Sequence, residues 1–199
     1  YARKKVVKEE KTAPKAVAGA FLDDAMREAL SPVLARFEKP LLLRVSSDGT
    51  LLADEAESLV RELASLSDAL SYEVVREGNP DVTISICSAE GKDLGLRFHG
   101  VPGGHEFNSF ILALYNAAGP GQDVGEALQQ RIEGISHDIH IDIAVSLSCT
   151  MCPDLVAAAE RIAADNDHVS VDVYDLAHYP DMQKKYNIMS VPCLIMDGK

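Results

Sequence analysis

Cys149 and Cys152, two cysteines separated by two residues, are the side chains best suited to chemistry in this chain. They follow a run of β-branched residues and stand just before Pro153, between a predicted strand and the start of a predicted helix. At a helix N-terminus, free N–H groups and the helix dipole stabilise a thiolate and lower the pKa of the first thiol. We therefore interpret Cys149 as the attacking thiol and Cys152 as the thiol that resolves the mixed disulfide.

Two alternatives to a redox pair remain open for these cysteines. A zinc site would need two more ligands at the usual spacing, and the sequence offers no second Cys or His pair nearby. Two packed thiols would also suit an apolar neighbourhood, and this is how we interpret Cys87 and Cys193. The histidines are scattered without metal-ligand spacing, so no metal site is predicted. A solvated acidic edge is predicted at Asp165, Asp167, Asp172 and Asp175.

The composition is that of a folded domain with an acidic surface. Of 199 residues, 47% are hydrophobic and 25% are charged, which argues against disorder. Lysine and arginine number 19 against 31 aspartates and glutamates, and the net charge of −12 would repel phosphate backbones. A nucleic-acid partner is therefore not expected. No segment approaches the roughly 20 apolar residues of a membrane-spanning helix, so no membrane association is expected.

Hydrophobic periodicity predicts a similar order of helices and strands in the two halves of the chain. The first half is predicted as a helix over 21–38, a strand near 41–45, a helix near 52–66, strands near 72–76, 82–86 and 94–98, and a helix over 104–118. The second is predicted as a helix near 124–135, a strand over 139–147, a helix near 155–162, a strand over 169–173, a helix over 180–186 and a strand over 191–196. Pro32 leaves two alternatives in the first helix, a kink or a new helix that begins at Ser31.

This order of elements is that of a thioredoxin-like fold, in which a βαβ unit is followed by a ββα unit. It occurs twice along the chain. In each half a proline, Pro80 or Pro192, opens a strand after a turn. We predict an α/β fold of two tandem thioredoxin-like folds, of which the second carries the Cys-x-x-Cys site. The strong turn at 119–121 marks the boundary. The predicted domains are a linker or extension at 1–19, a thioredoxin-like fold without redox cysteines at 20–118, and one with the Cys-x-x-Cys site at 119–199, whose C-terminal end is expected to be truncated.

Pro192 is a further candidate site residue. In thioredoxin-like folds the proline at this place forms a cis peptide bond and faces the Cys-x-x-Cys pair, so we expect a cis bond between Val191 and Pro192. The alternative is a trans proline that opens an edge strand. These folds also place a buried acid on the strand before the first cysteine, where it accepts the proton of the second. Ile143 holds that position here, Asp142 faces the other way, and an acid from the first half could take the role.

Three segments together resemble the N-terminal domain of the alkyl hydroperoxide reductase F subunit. They are residues 98–107 (FHGVPGGHEF), 112–114 (LAL) and 146–154 (SLSCTMCPD). The resemblance covers about residues 22–199 and agrees with the repeated order of elements.

In that family a glutamate lies near the redox cysteines as the acid missing from the strand, and the resemblance implies this role for Glu106. The alternative from the residues alone is a solvated glutamate in the first turn of a helix, favoured by the dipole. The family has His-Asn between its cysteines where this chain has Thr150-Met151, so its redox potential is expected to differ.

The resemblance implies a disulfide oxidoreductase that passes electrons from a flavin-dependent reductase to the disulfide of a peroxiredoxin, as part of peroxide detoxification. FAD and NAD(P)H are implied in a fused or partner reductase domain, either before Tyr1 or after Lys199. This chain lacks a Gly-x-Gly-x-x-Gly segment and is expected to bind neither cofactor. A reducing cytoplasm is the expected location. The alternatives are a glutaredoxin-like general protein-disulfide reductase and a non-catalytic docking or redox-sensing module.

Overall fold

The computed structural model of the chain describes residues 21–47, 49–76 and 81–199. The predicted extension at 1–19 lies outside these residues, as do Asp48 and the predicted turn at 78–80 with its Pro80. Within the described residues the chain forms six helices and seven strands, and they fall into two successive units.

The first unit runs from the first helix to the third. Its elements are α1 (Asp24–Leu34), β1 (Leu41–Ser47), α2 (Leu51–Ser65), β2 (Leu70–Arg76), β3 (Thr83–Ser88), β4 (Asp93–His99) and α3 (Glu106–Ala118). Asp23 begins α1 as its N-cap and accepts the N–H of Met26. The helix continues through Pro32, so no new helix begins at Ser31. Pro32 lies on the exposed side of the last turn, where water can replace the missing N–H donor.

The second unit contributes fewer strands. Its elements are α4 (Glu126–Glu133), β5 (Ile139–Val145), α5 (Cys152–Asp165), β6 (Val169–Asp175), α6 (Pro180–Lys185) and β7 (Cys193–Met196). Strand β5 ends at Val145, so Leu147 lies in the following loop and not in the predicted strand. The predicted boundary at 119–121 falls in the segment between α3 and α4.

Both units build one seven-stranded sheet in the order β2-β1-β3-β4-β6-β5-β7. In the first unit β1 pairs in parallel with β2 and antiparallel with β3, and in the second β5 pairs in parallel with β6 and antiparallel with β7. The predicted thioredoxin-like order is therefore confirmed in each. Strands β4 and β6 join the units by parallel pairing.

Side-chain contacts strengthen the junction between the units. The hydroxyl of Tyr179 donates to the carbonyl of Val82 at 2.8 Å and accepts the Val82 N–H at 3.0 Å. On one face of the sheet, α3 of the first unit packs against α5 of the second. Buried aliphatic side chains of both units form one continuous core, so the two units share their hydrophobic interior. Among the described residues, no helix has the length and apolarity that a membrane crossing needs.

Candidate active site

The Cys-x-x-Cys pair lies where the loop between β5 and α5, here called the redox loop (residues 146–151), meets the helix. Cys152 is the first residue of α5 and is completely buried, whereas Cys149 precedes the helix and is half-buried. Both thiols are free. No side chain caps the N-terminus of α5, and backbone N–H groups of Met151 and Cys152 hydrogen-bond the sulfur of Cys149. The helix therefore begins at the second cysteine and directs its free N–H groups at the first.

The two thiols have opposite acidities. A hydrogen bond from the Cys152 thiol, together with the backbone N–H groups, lowers the pKa of Cys149 below its usual range. Burial raises the pKa of Cys152 to about 12, and its hydrogen bond to Cys149 and the nearby charges add to this effect. Cys149 is thus the more exposed and more acidic thiol, as the sequence predicts. Cys152 needs a proton acceptor before it can attack.

The peptide bond between Val191 and Pro192 is cis, and the predicted cis bond is confirmed. The Cys149 sulfur lies 3.9 Å from the carbonyl oxygen of Val191. The segment before β7 is thereby placed beside the attacking thiol. The role of Pro192 in exchange stays a prediction. Gly119-Pro120 is a second cis bond, which sequence analysis did not anticipate.

The glycine-rich segment before α3 brings the first unit to the redox loop. The backbone N–H of His105 donates to the carbonyl of Leu147 with an N···O distance of 3.0 Å. Gly104 has a positive φ of 52°, and a Cβ on it would stand 2.5 Å from the Leu147 carbonyl oxygen. Only glycine permits this approach of the two backbones. The N-terminus of α3, and with it Glu106, is consequently held against the loop that carries Cys149.

Glu106 is fully buried, with none of its surface exposed to solvent. The alternative of a solvated glutamate is therefore wrong. Burial raises its pKa, although the Ser109 hydroxyl, which donates to Oε2, offsets part of the effect. Its Oε1 has no hydrogen-bond partner among the described residues. Its charge acts on both cysteines and raises the pKa of each thiol. The role of Glu106 as the proton acceptor for Cys152 stays a prediction.

Ile143, at the usual place of the strand acid, is completely buried and apolar. Sequence analysis nevertheless missed one acid, Glu160 of α5, which is 2% exposed. The available signal was its spacing, because Cys152, Val156 and Glu160 recur every fourth residue along one face of the helix.

The predicted acidic edge is only partly exposed, because Asp172 and Asp175 are buried in the sheet. The two oxygens of Asp172 accept hydrogen bonds from His99 and Arg97, contributed by the neighbouring strand β4. In the part of the chain that the structure describes, His140, Asp142 and Asp172 lie close enough to suit a metal ion. Since the protein's own cations already bind Asp172, we assign no metal to this cluster.

Comparison with known proteins covers both units of the chain. A thioredoxin domain model matches residues 139–199. Alkyl hydroperoxide reductase (F subunit) of Xanthomonas campestris pv. phaseoli is 32% identical over 178 residues, which is 89% of this chain and 34% of that protein. A protein named NADH dehydrogenase from Bacillus subtilis (strain 168) is also 32% identical, over 89% of this chain and 35% of its own length. The chain therefore spans about a third of the length of these relatives.

A solved domain matches over nearly its full length. It is the NTD_N/C domain of alkyl hydroperoxide reductase AhpF from Enterococcus faecalis (V583), with 33% identity and a TM-score of 0.84. The match covers 90% of this chain and 92% of that domain. With two thioredoxin-like units on one sheet and a match of this extent, the chain belongs to the family of N-terminal domains of the alkyl hydroperoxide reductase F subunit.

Proposed function

We propose that this chain is a dithiol–disulfide electron carrier that takes electrons from a flavin-dependent reductase domain and reduces the disulfide of a peroxiredoxin. The observation that carries the proposal is the asymmetry of the two thiols. Cys149 is accessible and acidic, whereas Cys152 is buried, weakly acidic and within the electrostatic reach of a buried carboxyl. Membership of the family supports peroxide reduction as the pathway that this exchange serves.

The exchange begins at Cys149. Its thiolate attacks one sulfur of the partner disulfide, that S–S bond breaks, and the other partner sulfur leaves as a thiolate that takes up a proton. Cys152 then gives its proton to Glu106 and attacks Cys149 in the mixed disulfide. The second partner sulfur leaves as a thiolate and is protonated in turn. The partner gains two electrons and becomes a dithiol, while Cys149 and Cys152 are oxidised to a disulfide.

The return of this chain to the dithiol needs an electron source. FAD and NAD(P)H would supply the electrons in a reductase domain, either in the same polypeptide or in a separate protein. We assign neither cofactor to this chain, because the chemistry at its site requires only thiols and one proton acceptor. A reducing cytoplasm would keep the dithiol available for each cycle.

Two exposed methionines, one between the cysteines and one close in sequence to Val191, suit a protein partner. Met151, between the cysteines, is 66% exposed, and Met189, two residues before Val191, is 88% exposed. Flexible apolar side chains at the surface are typical of surfaces that bind proteins. Because the carbonyl of Val191 lies beside the Cys149 sulfur, a partner that presents its disulfide to Cys149 would contact this region.

The test compares three disulfides under equal conditions. The reduced chain is mixed with an oxidised peroxiredoxin, with insulin or with a glutathione mixed disulfide, and rapid acid quenching followed by mass spectrometry measures the exchange rate. We expect the peroxiredoxin to be reduced fastest, and Cys149→Ser serves as the control that reduces none. Equal or faster reduction of insulin or the glutathione disulfide would indicate a general reductase. Absence of exchange with all three would indicate a docking or sensing module, and either result contradicts the proposal.

A further inference from the structure

Glu160 is a buried carboxyl that the exchange steps above do not use. It lies on α5, on the face that carries Cys152 and Val156 towards the core, and it is 2% exposed. A glutamate in such a place loses its hydration, and its ionised form is costly unless a cation or several donors replace the water. Whether Glu160 is ionised or protonated therefore depends on the groups that surround it.

No cation neutralises Glu160 among the described residues. Arg161, its neighbour in sequence, pairs with Asp165 and donates to the carbonyl of Gln122. Oε2 of Glu160 is buried without a hydrogen-bond partner in the described part of the chain, as Oε1 of Glu106 is. Two unpartnered carboxyl oxygens thus lie in the interior shared by α3 and α5.

The two carboxyls lie on helices that pack against each other. Helix α3, which begins with Glu106, packs against α5. Side chains on an α-helix lean towards its N-terminus, so the side chain of Glu160 extends along α5 in the direction of Cys152. The charge of Glu106 acts on Glu160, and burial together with this charge raises the pKa of Glu160 well above its usual range. Glu160 therefore holds its proton when Glu106 ionises.

We propose that Glu160 is a positioning residue that forms an electrostatically coupled carboxyl pair with Glu106, so that the pair holds one proton at neutral pH, on Glu160, and leaves Glu106 ionised to receive the proton of Cys152. This inference rests on the proposed exchange at Cys149 and Cys152. Glu160 acts through Glu106.

The pair changes how Glu106 responds to pH. Two carboxyls that interact lose their protons in two separate steps, because the first negative charge opposes the second. The groups that face Glu106 are Cys152 on α5 and Cys149 in the redox loop, and the Ser109 hydroxyl donates to it from α3. In the oxidised chain the two sulfurs no longer titrate, which leaves the carboxyl pair as the source of any coupled titration.

The test is a pH titration of the oxidised chain with carbon-13 at its glutamate carboxyls. The resonance of Glu106, assigned by its loss in Glu106→Gln, is expected to shift in two steps in the unsubstituted chain and in one step in Glu160→Gln. Glu133→Gln, which removes an exposed glutamate from α4, is the matched control and should keep both steps. A single step in the unsubstituted chain, or two unchanged steps in Glu160→Gln, would overturn the inference. The number of steps in the unsubstituted chain is measured without Glu160→Gln, so this part of the test stands even where that variant does not fold.

A second readout separates this inference from the proposed function. With Ellman's reagent, and with Cys193→Ser in every chain compared because Cys193 is a free, half-buried thiol, the first thionitrobenzoate released reports attack by Cys149 and the second reports attack by Cys152. We expect the pH profile of the second release to lose one inflection in Glu160→Gln, and the profile of the first release to keep its shape. Identical second-release profiles would defeat the inference even if the peroxiredoxin is reduced. Failure to reduce the peroxiredoxin, with the two carboxyl steps intact, would defeat only the proposed function.

Discussion

The β1–α2 and β5–α5 junctions occupy the same place in the two units and differ in what binds the helix N-terminus. At the first, Thr50 is the N-cap, and its hydroxyl accepts the N–H of Ala53 at 3.3 Å. At the second, the N-cap is Met151, whose side chain makes no capping bond, and the backbone N–H groups instead hydrogen-bond the Cys149 sulfur. The same backbone feature stabilises a fold in one unit and a thiolate in the other.

The buried thiols of the two units extend the comparison. Burial raises the pKa of Cys87, on β3, to about 11, and that of Cys152 to about 12. Both are completely buried, yet of the two only Cys152 bonds a second thiol and is influenced by a carboxyl with an unpartnered oxygen, that of Glu106. Burial by itself makes a thiol inert because it keeps the thiol protonated. Whether the proton can be removed depends on the groups around the thiol.

The largest expected effect follows removal of the thiols at the β5–α5 junction. Cys149→Ser should abolish exchange, because no other accessible thiolate in the described part of the chain is held by helix N–H groups. Cys152→Ser should leave the first attack intact and accumulate the mixed disulfide, which non-reducing electrophoresis and mass spectrometry detect. Trapping through Cys152 in Cys149→Ser would reverse the assignment of roles.

Glu106→Gln tests the contribution that the first unit makes to the second. The amide keeps the shape but cannot take the proton of Cys152, so release of the partner's second sulfur should slow by about 10²-fold. Stopped-flow measurement of the two thionitrobenzoate releases checks this, with the release caused by Cys149 as an internal control. Equal rates of second release in the variant and the unsubstituted chain would remove Glu106 from the mechanism.

Thr50→Ala examines the capped junction. Loss of the hydroxyl acceptor should lower the free energy of unfolding by about 1 kcal/mol, measured by urea denaturation, while the exchange rate stays unchanged. Met151→Ala is the matched control, because its side chain makes no capping bond and is exposed, and its change in stability should stay within about 0.5 kcal/mol. A slower exchange in Thr50→Ala would show that the junctions are not independent.

Cys87 should give the smallest effect on exchange. In the folded chain at neutral pH, iodoacetamide should modify Cys149 and leave Cys87 unmodified, since burial raises the pKa of the Cys87 thiol to about 11. Peptide mapping after limited alkylation measures this order. Cys87→Ala should exchange at the rate of the unsubstituted chain, and a loss of exchange would assign this thiol a role that its position on β3 does not suggest.

Much of the site could be predicted from the sequence because its signals are local. The spacing of Cys149 and Cys152, the strand before them and the Pro153 after them lie within one short segment. The cis bond at Pro192 and the repeated order of elements come from knowledge of the fold class, which that order indicates. These features can be recognised without knowing which elements that are distant in sequence pack against each other.

The features of the site that could not be predicted from the sequence depend on contacts between the two units. The burial of Glu106 results from the approach of Gly104 to Leu147, and that of Asp172 results from the pairing of β6 with β4. Neither contact joins residues that are near in sequence. Glu160 was missed for a related reason, because a glutamate within an amphipathic helix is ordinarily assigned to its solvated face.

The shared sheet links the folding of the chain to its chemistry. Strands β4 and β6 pair across the junction, and Tyr179 bonds both backbone groups of Val82, so opening either unit would expose a strand edge of the other. Glu106 belongs to the first unit and Cys152 to the second, so the charge of Glu106 acts on Cys152 only while both units are folded and docked. If Glu106 is the proton acceptor that we propose, a half-folded chain retains both thiols but lacks the acceptor, and cooperative folding would confine efficient disulfide exchange to the complete native state.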